Sequence, residues 1–165
     1  MSTTKTIAVI SDTHMNQPPG WFLRVYEQYL QPADAVLHCG DITGPATYHE
    51  LLQHPCFHAV LGNCDWDPNL GTELIPMLRL ELFGLRIGMA HGWGSRPGVP
   101  ARVAEAFGTE VDLVCFGHTH NRFWSDEFGP MLCNPGSVAE GSMALVTIDA
   151  DRELACTFVD LDMKS

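Results

Sequence analysis

The stretch that decides the fold is LVCFGHTHN, residues 113–121. Its first part is a short apolar run, which predicts a strand that is buried along its length. The run ends at Gly117, and two histidines follow one residue apart, at His118 and His120. Alternate residues can reach the same site as a chain leaves its strand. The pair is therefore a candidate for metal binding at the end of a core strand.

Similar apolar, β-branched runs recur along the chain, and segments with helical spacing separate several of them. This alternation favours parallel β–α–β units and an α/β fold. The C-terminal third instead predicts sequential strands, with a turn over 149–153, so we expect a mixed or antiparallel addition. The predicted strands are KTIAVIS (5–11), DAVLHC (34–39), FHAVLG (57–62), LRIGMAH (85–91), DLVCFG (112–117), PMLCNPGS (130–137), MALVTIDA (143–150) and LACTFVDL (154–161), and the predicted helices are WFLRVYEQYL (21–30), PATYHELLQH (45–54) and VPARVAEAF (99–107).

Composition and charge limit the class of protein. The chain has 165 residues, of which 45% are apolar, and this favours one ordered domain over 1–165. With 9 basic and 20 acidic side chains the formal charge is −11, which disfavours stable binding to nucleic acid or to an anionic membrane. The N-terminal apolar run is too short for a signal-peptide core, and the six cysteines form no C-x-x-C pair. We therefore expect a cytoplasmic protein with reduced thiols.

The ends of the five parallel-type strands carry polar side chains of one chemical kind. In open α/β sheets, ligands bind at the carboxyl ends of the strands. Each strand end alone is a weak signal, but five that end in metal-type ligands, four of them beside a glycine, are hard to explain by chance. Together they would bring two carboxylates, one amide and four imidazoles to one edge. The segments are SDTH (11–14), CGD (39–41), GNCD (62–65), MAHG (89–92) and FGHTH (116–120).

In this order the five segments resemble the metal motifs of the calcineurin-like metallophosphoesterases, and in particular the small YfcE-like phosphodiesterase branch of that superfamily. The resemblance spans about residues 6–140 and includes NPGS at 134–137. It implies a four-layer α/β sandwich of two mixed β-sheets flanked by helices.

The resemblance also implies two metal sites that share one ligand. Asp41 would bridge the two ions, because a carboxylate has two anionic oxygens that can reach ions about 3.5–4 Å apart. Asp41, Asn63 and His91 would act in catalysis as well as in metal binding. The first ion would be bound by Asp12, His14, Asp41 and His120, and the second by Asp41, Asn63, His91 and His118.

Charge and donor type indicate the ions and the reaction. Two divalent ions, two carboxylates and a bridging hydroxide leave about one net positive charge, which suits the single negative charge of a phosphodiester. Nitrogen and oxygen donors without a thiolate fit Mn²⁺, Fe²⁺, Zn²⁺, Ni²⁺ or Co²⁺, and we favour Mn²⁺. Four histidines disfavour Mg²⁺.

Four further residues are candidates for supporting or substrate-binding roles. Cys64 stands where many members of the superfamily have a histidine that could protonate the leaving group, and a thiol is a weaker choice for that task at neutral pH. Asp65 would either orient a ligand histidine or stabilise a turn. His38 would either support the site or be a hydrogen-bonded core histidine. Asn134 lies in a predicted tight turn and could position substrate.

Three functions follow from this constellation. The favoured one is a dinuclear-metal-dependent phosphodiesterase that hydrolyses small phosphodiesters by attack of a metal-bridging hydroxide. A phosphomonoesterase or nuclease on the same site is an alternative, although no basic stripe is visible. A non-catalytic scaffold of the same fold is the third.

An oligomer is compatible with the size of the chain. Trp66 and Trp93 follow two of the motifs and would either line a pocket or pack, and Arg96 and Arg122 are candidate phosphate contacts.

Overall fold

Strands and helices alternate along the chain in the order predicted for its first two-thirds. The computed structural model describes residues 3–164. The strands are β1 Lys5–Ile10, β2 Ala35–His38, β3 Phe57–Ala59, β4 Met77–Leu82, β5 Leu85–Ala90, β6 Leu113–Cys115, β7 Arg122–Ser125, β8 Met131–Pro135, β9 Ser142–Ile148 and β10 Leu154–Asp160. The helices are α1 Gly20–Val25, which continues as a π-helical turn over Tyr26–Leu30, α2 Pro45–Leu51, α3 Pro68–Glu73 and α4 Val99–Phe107, with 3₁₀ turns at Arg96–Gly98 and Val138–Glu140.

The strands form two mixed sheets of five. The first has the order β10–β9–β1–β2–β3 and the second the order β4–β5–β6–β8–β7. Strands β1, β2 and β3 are parallel, as are β5, β6 and β8. The remaining strands pair antiparallel to these or to each other. Each sheet therefore has a parallel centre whose strands all end at one edge.

The two sheets pack face to face, and helices cover their outer faces. In β1, Ile7 and Val9 point into a core shared with Ile87 and Met89 of β5. The intervening residues of β1 point the other way and pack against α1 and its π-helical extension. On the second sheet, α4 packs over the outer side of β6 and β8. This alternation is the period-2 pattern of strands buried on both faces, and it confirms the predicted four-layer α/β sandwich.

Three elements were not predicted from the sequence. Helix α3 has Asp67 as its N-cap and Pro68 in its first turn, which is a typical start signal. The helix has only six residues, too few to show a helical pattern of apolar residues. Strand β4 has the alternation of a half-exposed edge strand, and β7 is a four-residue edge strand. The predicted helix over 45–54 ends earlier, at Leu51.

The C-terminal strands divide between the two sheets. The predicted turn over 149–153 is confirmed, since β9 and β10 form an antiparallel hairpin around it. However, β8 does not continue that hairpin, because it lies in the second sheet beside β6.

Among the helices within residues 3–164, none has the length and apolar character needed to cross a membrane.

Candidate metal centre

The predicted ligands meet where the parallel strands of both sheets end. The five strands that carry these ligands belong to two sheets. Because the sheets pack face to face, the edges of both contribute. The first sheet supplies Asp12, His14, Asp41 and Asn63, and the second supplies His91, His118 and His120.

Two buried carboxylates occupy the middle of this cluster. Asp41 Oδ2 lies 3.2 Å from His91 Nε2 and 3.5 Å from His14 Nε2. Asp12 Oδ1 lies 3.2 Å from His120 Nε2, 3.6 Å from His14 Nε2 and 3.8 Å from His91 Nε2. Each carboxylate oxygen thus faces several imidazole nitrogens at distances that leave room for a shared cation. The grouping of Asp12, His14 and His120 has the geometry of a metal site, as does that of Asp12, Asp41 and His91.

Two polar atoms at this centre lack partners. Asp12 Oδ1 and His91 Nε2 are buried and have no hydrogen-bond partner among the described residues. A buried polar atom without a partner costs about 1–3 kcal/mol, and a charged one costs more. A cation bound between the two atoms would remove this cost, so the residues present fit a metal ion.

The outer nitrogens of two histidines are already engaged. His91 Nδ1 lies 2.7 Å from the carbonyl oxygen of Cys39, which can only accept a proton. His120 Nδ1 lies 3.1 Å from Glu140 Oε2. In both rings the proton therefore belongs on Nδ1, and Nε2 keeps its lone pair toward the centre, as is usual for metal-binding histidines. Glu140 was not predicted from the sequence, because it lies in a 3₁₀ turn with no motif around it.

Asn63 and His118 face each other on the other side of the cluster. Asn63 Oδ1 lies 3.3 Å from His118 Nδ1, and His118 Nε2 lies 3.1 Å from the carbonyl oxygen of Gly94. Because that carbonyl can only accept, a neutral His118 carries its proton on Nε2. Its Nδ1 lone pair then faces the Asn63 carbonyl oxygen. Two acceptors in this arrangement again suit a cation.

Five of the seven predicted ligands have left-handed backbone conformations. Their φ angles are 55° at Asp12, 48° at His14, 62° at Asp41, 70° at His118 and 62° at His120. Such angles are uncommon outside glycine, although Asp and His adopt them more often than most residues. Non-glycine residues of this kind concentrate at functional sites. Here they turn each side chain toward the common centre directly after its strand.

Burial and neighbouring charges affect the two carboxylates differently. Burial raises the pKa of Asp12, and His91 and Ser11 oppose that shift only in part. Burial also raises the pKa of Asp41, but the adjacent His91 ring and the Cys64 N–H outweigh it and hold the pKa at about 2. Asp41 is therefore ionised at neutral pH and is the more anionic of the pair.

Asp65 stabilises a turn and contacts none of the ligand histidines, so the alternative role of orienting a histidine was wrong. Its Oδ2 accepts hydrogen bonds from the backbone N–H of Asp41 (2.9 Å) and of Gly62 (2.7 Å). Its Oδ1 accepts one from the N–H of Thr43 (2.8 Å). One buried carboxylate therefore fixes the backbone on both sides of Asp41.

His38 and Asn134 are buried residues that hydrogen-bond to the segments carrying the ligands. The His38 ring is bonded on both sides, to Thr13 Oγ1 (3.1 Å) and to the N–H of Gly40 (3.0 Å), and burial lowers its pKa to about 3, so it is neutral. Asn134 is fully buried and donates to the carbonyl oxygen of Gly117 (3.1 Å) and to Thr119 Oγ1 (2.9 Å). No face of Asn134 reaches solvent, so its side chain acts on the ligand loops through these hydrogen bonds.

Cys64 lies at the rim of the centre. Its backbone N–H donates to Asp41 Oδ1 at 2.7 Å. Its thiol, together with His14 and Asp41, forms a third cluster with the geometry of a metal site. Partial burial and the nearby carboxylates raise the pKa of the thiol, which is therefore protonated at neutral pH.

Two clefts adjoin the centre. The Trp66 cleft, of about 490 Å³, is lined by His14, Asn16, Thr43, Cys64, Trp66 and Asp67. The Trp93 cleft, of about 330 Å³, is lined by Leu61, Asn63, Pro76, Met77, His91, Gly92 and Trp93. Both tryptophans thus line pockets. Arg122 does not, because its guanidinium group is bonded to Asp160 and to the carbonyl oxygen of Val159. Arg96 lies in a separate groove beside Phe116 and Phe123.

The sandwich and its ligand cluster define the class of protein as a metal-dependent hydrolase. The family model of the calcineurin-like phosphoesterase superfamily domain matches residues 6–151, so the chain belongs to this superfamily. The predicted metal-dependent phosphoric ester hydrolase is thereby confirmed at the level of the family.

Individual relatives agree with this assignment. The chain is 33% identical over 136 residues to the "Probable metallophosphoesterase MJ0623" of Methanocaldococcus jannaschii. The aligned region covers 81% of this chain and 68% of that protein. Two solved structures share the fold. One is Vacuolar Protein Sorting 29 from Cryptosporidium parvum, with a TM-score of 0.71, 17% identity and coverage of 96% and 98% of the two chains. The other is described as a novel archaeal phosphodiesterase, with a TM-score of 0.68, 20% identity and coverage of 93% and 99%.

Proposed function

We propose that this protein is a dinuclear-metal-dependent phosphodiesterase that acts on small phosphodiesters. The observation that carries the proposal is the pair of unpartnered atoms, Asp12 Oδ1 and His91 Nε2, beside the ionised Asp41. Buried lone pairs without donors are what a metal site requires before its ions bind.

The contacts of Asp41 support two ions rather than one. Its Oδ2 faces His14, which belongs to one predicted ligand set, and His91, which belongs to the other. It is therefore the natural bridge between the sets. The first ion would be held by Asp12, His14, Asp41 and His120, and the second by Asp41, Asn63, His91 and His118.

The linings of the two clefts favour a diester. Bound divalent ions would offset the charge of the phosphoryl oxygens and lower the pKa of a bound water. The chain adds no positive charge of its own, since the described residues that line the Trp66 and Trp93 clefts include neither lysine nor arginine. A singly charged diester fits such a site better than a doubly charged monoester. Open space in the two clefts that adjoin the centre also suits a phosphate that carries two ester arms.

The donor set favours Mn²⁺. It consists of imidazole nitrogens, carboxylates and one amide oxygen, and thiolate is absent because the Cys64 thiol stays protonated. A cytoplasmic location is part of the proposal, because all six cysteines are free. The charge of −11 supports a small substrate and disfavours a stable complex with nucleic acid.

Hydrolysis of bis(p-nitrophenyl) phosphate by metal-stripped protein, before and after addition of Mn²⁺, tests the proposal. We expect turnover only with the metal, and a loss of more than about a hundred-fold in Asp41→Asn, because removing a ligand costs more than removing one of its outer partners. Asp151→Asn is the matched control, since it makes the same change in the exposed turn between β9 and β10, at the opposite end of β1.

Two results would overturn the proposal. Turnover of p-nitrophenyl phosphate without turnover of the diester would favour a monoesterase. No turnover with Mn²⁺, Ni²⁺, Co²⁺ or Zn²⁺, in a folded protein that binds two ions, would favour a scaffold.

A further inference from the structure

Trp66 is the most exposed of the large apolar side chains around the centre, yet it is hydrogen-bonded to a ligand segment. It is 82% exposed. Its indole Nε1–H donates a hydrogen bond of 2.8 Å to the carbonyl oxygen of Asn63, one of the predicted ligands. An exposed indole normally gains little from packing, and here one bond holds it beside the metal ligands with its ring accessible. It therefore forms an aromatic platform next to the reaction site.

The residues around this platform are polar. The side chains of Asn16, Thr43 and Asp67 share the Trp66 cleft with the indole ring. They offer hydrogen-bond donors and acceptors around an aromatic face. A flat ring with polar edges, such as a nucleobase, can use both features, by stacking on the indole and by hydrogen bonding at its rim.

The Trp93 cleft has a different character. Leu61, Pro76, Met77 and Trp93 give it an apolar wall, and Asn63 and His91 form the side next to the centre. Trp93 is 43% exposed and Met77 is 38% exposed, so the wall is open to a ligand. An apolar or aryl group would lose water-exposed surface there, whereas a charged group would find no partner.

We propose that the substrate is a nucleotidyl diester, whose base stacks on Trp66 while its second, less polar ester arm lies in the Trp93 cleft. This inference rests on the proposed phosphodiesterase function and names its substrate class. Both clefts adjoin the candidate metal centre, because His14 lines one and His91 lines the other. A phosphate at the centre would therefore send one arm into each. With no lysine or arginine in either lining, the substrate carries the single charge of a diester and not the charges of a polyphosphate.

Two chromogenic diesters with the same charge and leaving group test the inference. They are thymidine 5′-(p-nitrophenyl phosphate) and methyl p-nitrophenyl phosphate, each assayed with the Mn²⁺-loaded protein. We expect KM to be about ten-fold lower for the thymidine ester, because only this ester gains a base–aromatic stack, and about 1.4 kcal/mol of binding free energy corresponds to a factor of ten. In Trp66→Ala this ratio should fall to about one, and in Trp66→Phe most of it should return. Phe128→Ala is the control, because Phe128 is an exposed aromatic in the turn between β7 and β8, remote from the site.

A binding measurement separates this inference from the proposed function. Thymidine 5′-methylphosphonate, which carries one negative charge, is titrated into the protein and tryptophan fluorescence is recorded. We expect quenching that is largely lost in Trp66→Phe and retained in Phe128→Ala.

The outcomes are distinguishable. If both esters are hydrolysed with equal KM, or the preference persists in Trp66→Ala, the nucleotidyl substrate is refuted while the diesterase stands. If neither ester is hydrolysed, the proposed function fails, and the fluorescence titration alone decides whether Trp66 binds a base.

Discussion

Replacing Asp65 with asparagine should destabilise the protein far more than its position outside the ligand set suggests. The carboxylate is buried and accepts three backbone hydrogen bonds, from Gly62 at 2.7 Å, Thr43 at 2.8 Å and Asp41 at 2.9 Å. Asparagine has one acceptor oxygen, so its best orientation keeps the two bonds now made to Oδ2 and turns its NH₂ group toward the N–H of Thr43. One bond is then lost, and two change from charged to neutral.

The magnitude follows from these three bonds. A hydrogen bond to a charged group contributes about 1.5–3 kcal/mol and a neutral one about 0.5–1.5 kcal/mol, so Asp65→Asn should lower the free energy of unfolding by about 3.5–6 kcal/mol. That is a large part of the roughly 5–15 kcal/mol typical of a domain. The same change loosens the backbone of Asp41, so we also expect weaker Mn²⁺ binding.

Urea unfolding in the presence of EDTA measures the effect without a contribution from metal. The midpoint should fall while the slope of free energy against urea stays constant. Asp67→Asn is the matched control two residues away. Asp67 caps α3 by accepting the N–H of Asn69 at 2.9 Å, and asparagine is an equally good cap, so this variant should change stability by less than about 0.5 kcal/mol. If Asp65→Asn is as stable as Asp67→Asn, the carboxylate does not hold the Asp41 turn and the reasoning is wrong.

Three further predictions concern other parts of the site. Glu140→Gln should weaken Mn²⁺ binding about ten-fold in calorimetric titration, because Glu140 engages His120 Nδ1, whereas Glu127→Gln, in the exposed turn before β8, should not. Gly117→Ala should lower stability by about 1–3 kcal/mol, because its Cβ would overlap Ser11 Oγ and lie 2.8 Å from Asp12 Oδ2. Gly71→Ala, with open space in α3, should instead raise stability by about 0.5–1 kcal/mol in the same unfolding assay. Finally, His38 is protonated below about pH 6.5 in the unfolded chain but only near about pH 3 in the folded chain. The free energy of unfolding should therefore fall, by up to about 1.4 kcal/mol per pH unit, as pH falls through this window. In His38→Gln this dependence on pH should be shallower, and an identical slope would refute a neutral, buried His38.

The centre could be predicted from the sequence because its ligands follow strands directly. Where the carboxyl end of a core strand is known, the next one to four residues must lie at the sheet edge, and this is how Asp12, Asp41 and His91 were found. The arrangement in two sheets was not derivable in this way. Alternation along the chain gives strand order in sequence, but whether β3 and β5 share a sheet depends on tertiary packing.

The supporting residues were harder to predict for a different reason. Glu140 approaches His120 from a 3₁₀ turn that follows the ligand by 20 positions in the sequence, and no local pattern reports such a contact. Asp65 is the last residue of the GNCD motif, so its position was predicted, but its partners are backbone N–H groups. A side chain that binds backbone leaves no complementary residue in the sequence. The edge strands β4 and β7 carry fewer buried residues than core strands, which weakens their signal.

The backbone strain at the centre explains why so many buried polar residues surround it. Five ligands with positive φ cost about 1–3 kcal/mol each when unsupported, which together approaches the stability of a whole domain. The neighbouring polar side chains act on these same turns. Asp65 binds the N–H of Asp41, Ser137 donates to the carbonyl oxygen of Asp12 at 2.9 Å, and Asn134 binds the carbonyl oxygen of Gly117, just before His118. These hydrogen bonds support the backbone of the ligand segments through groups that are not themselves predicted metal ligands. The site is therefore preorganised, and the free energy of metal binding is not spent on folding the loops.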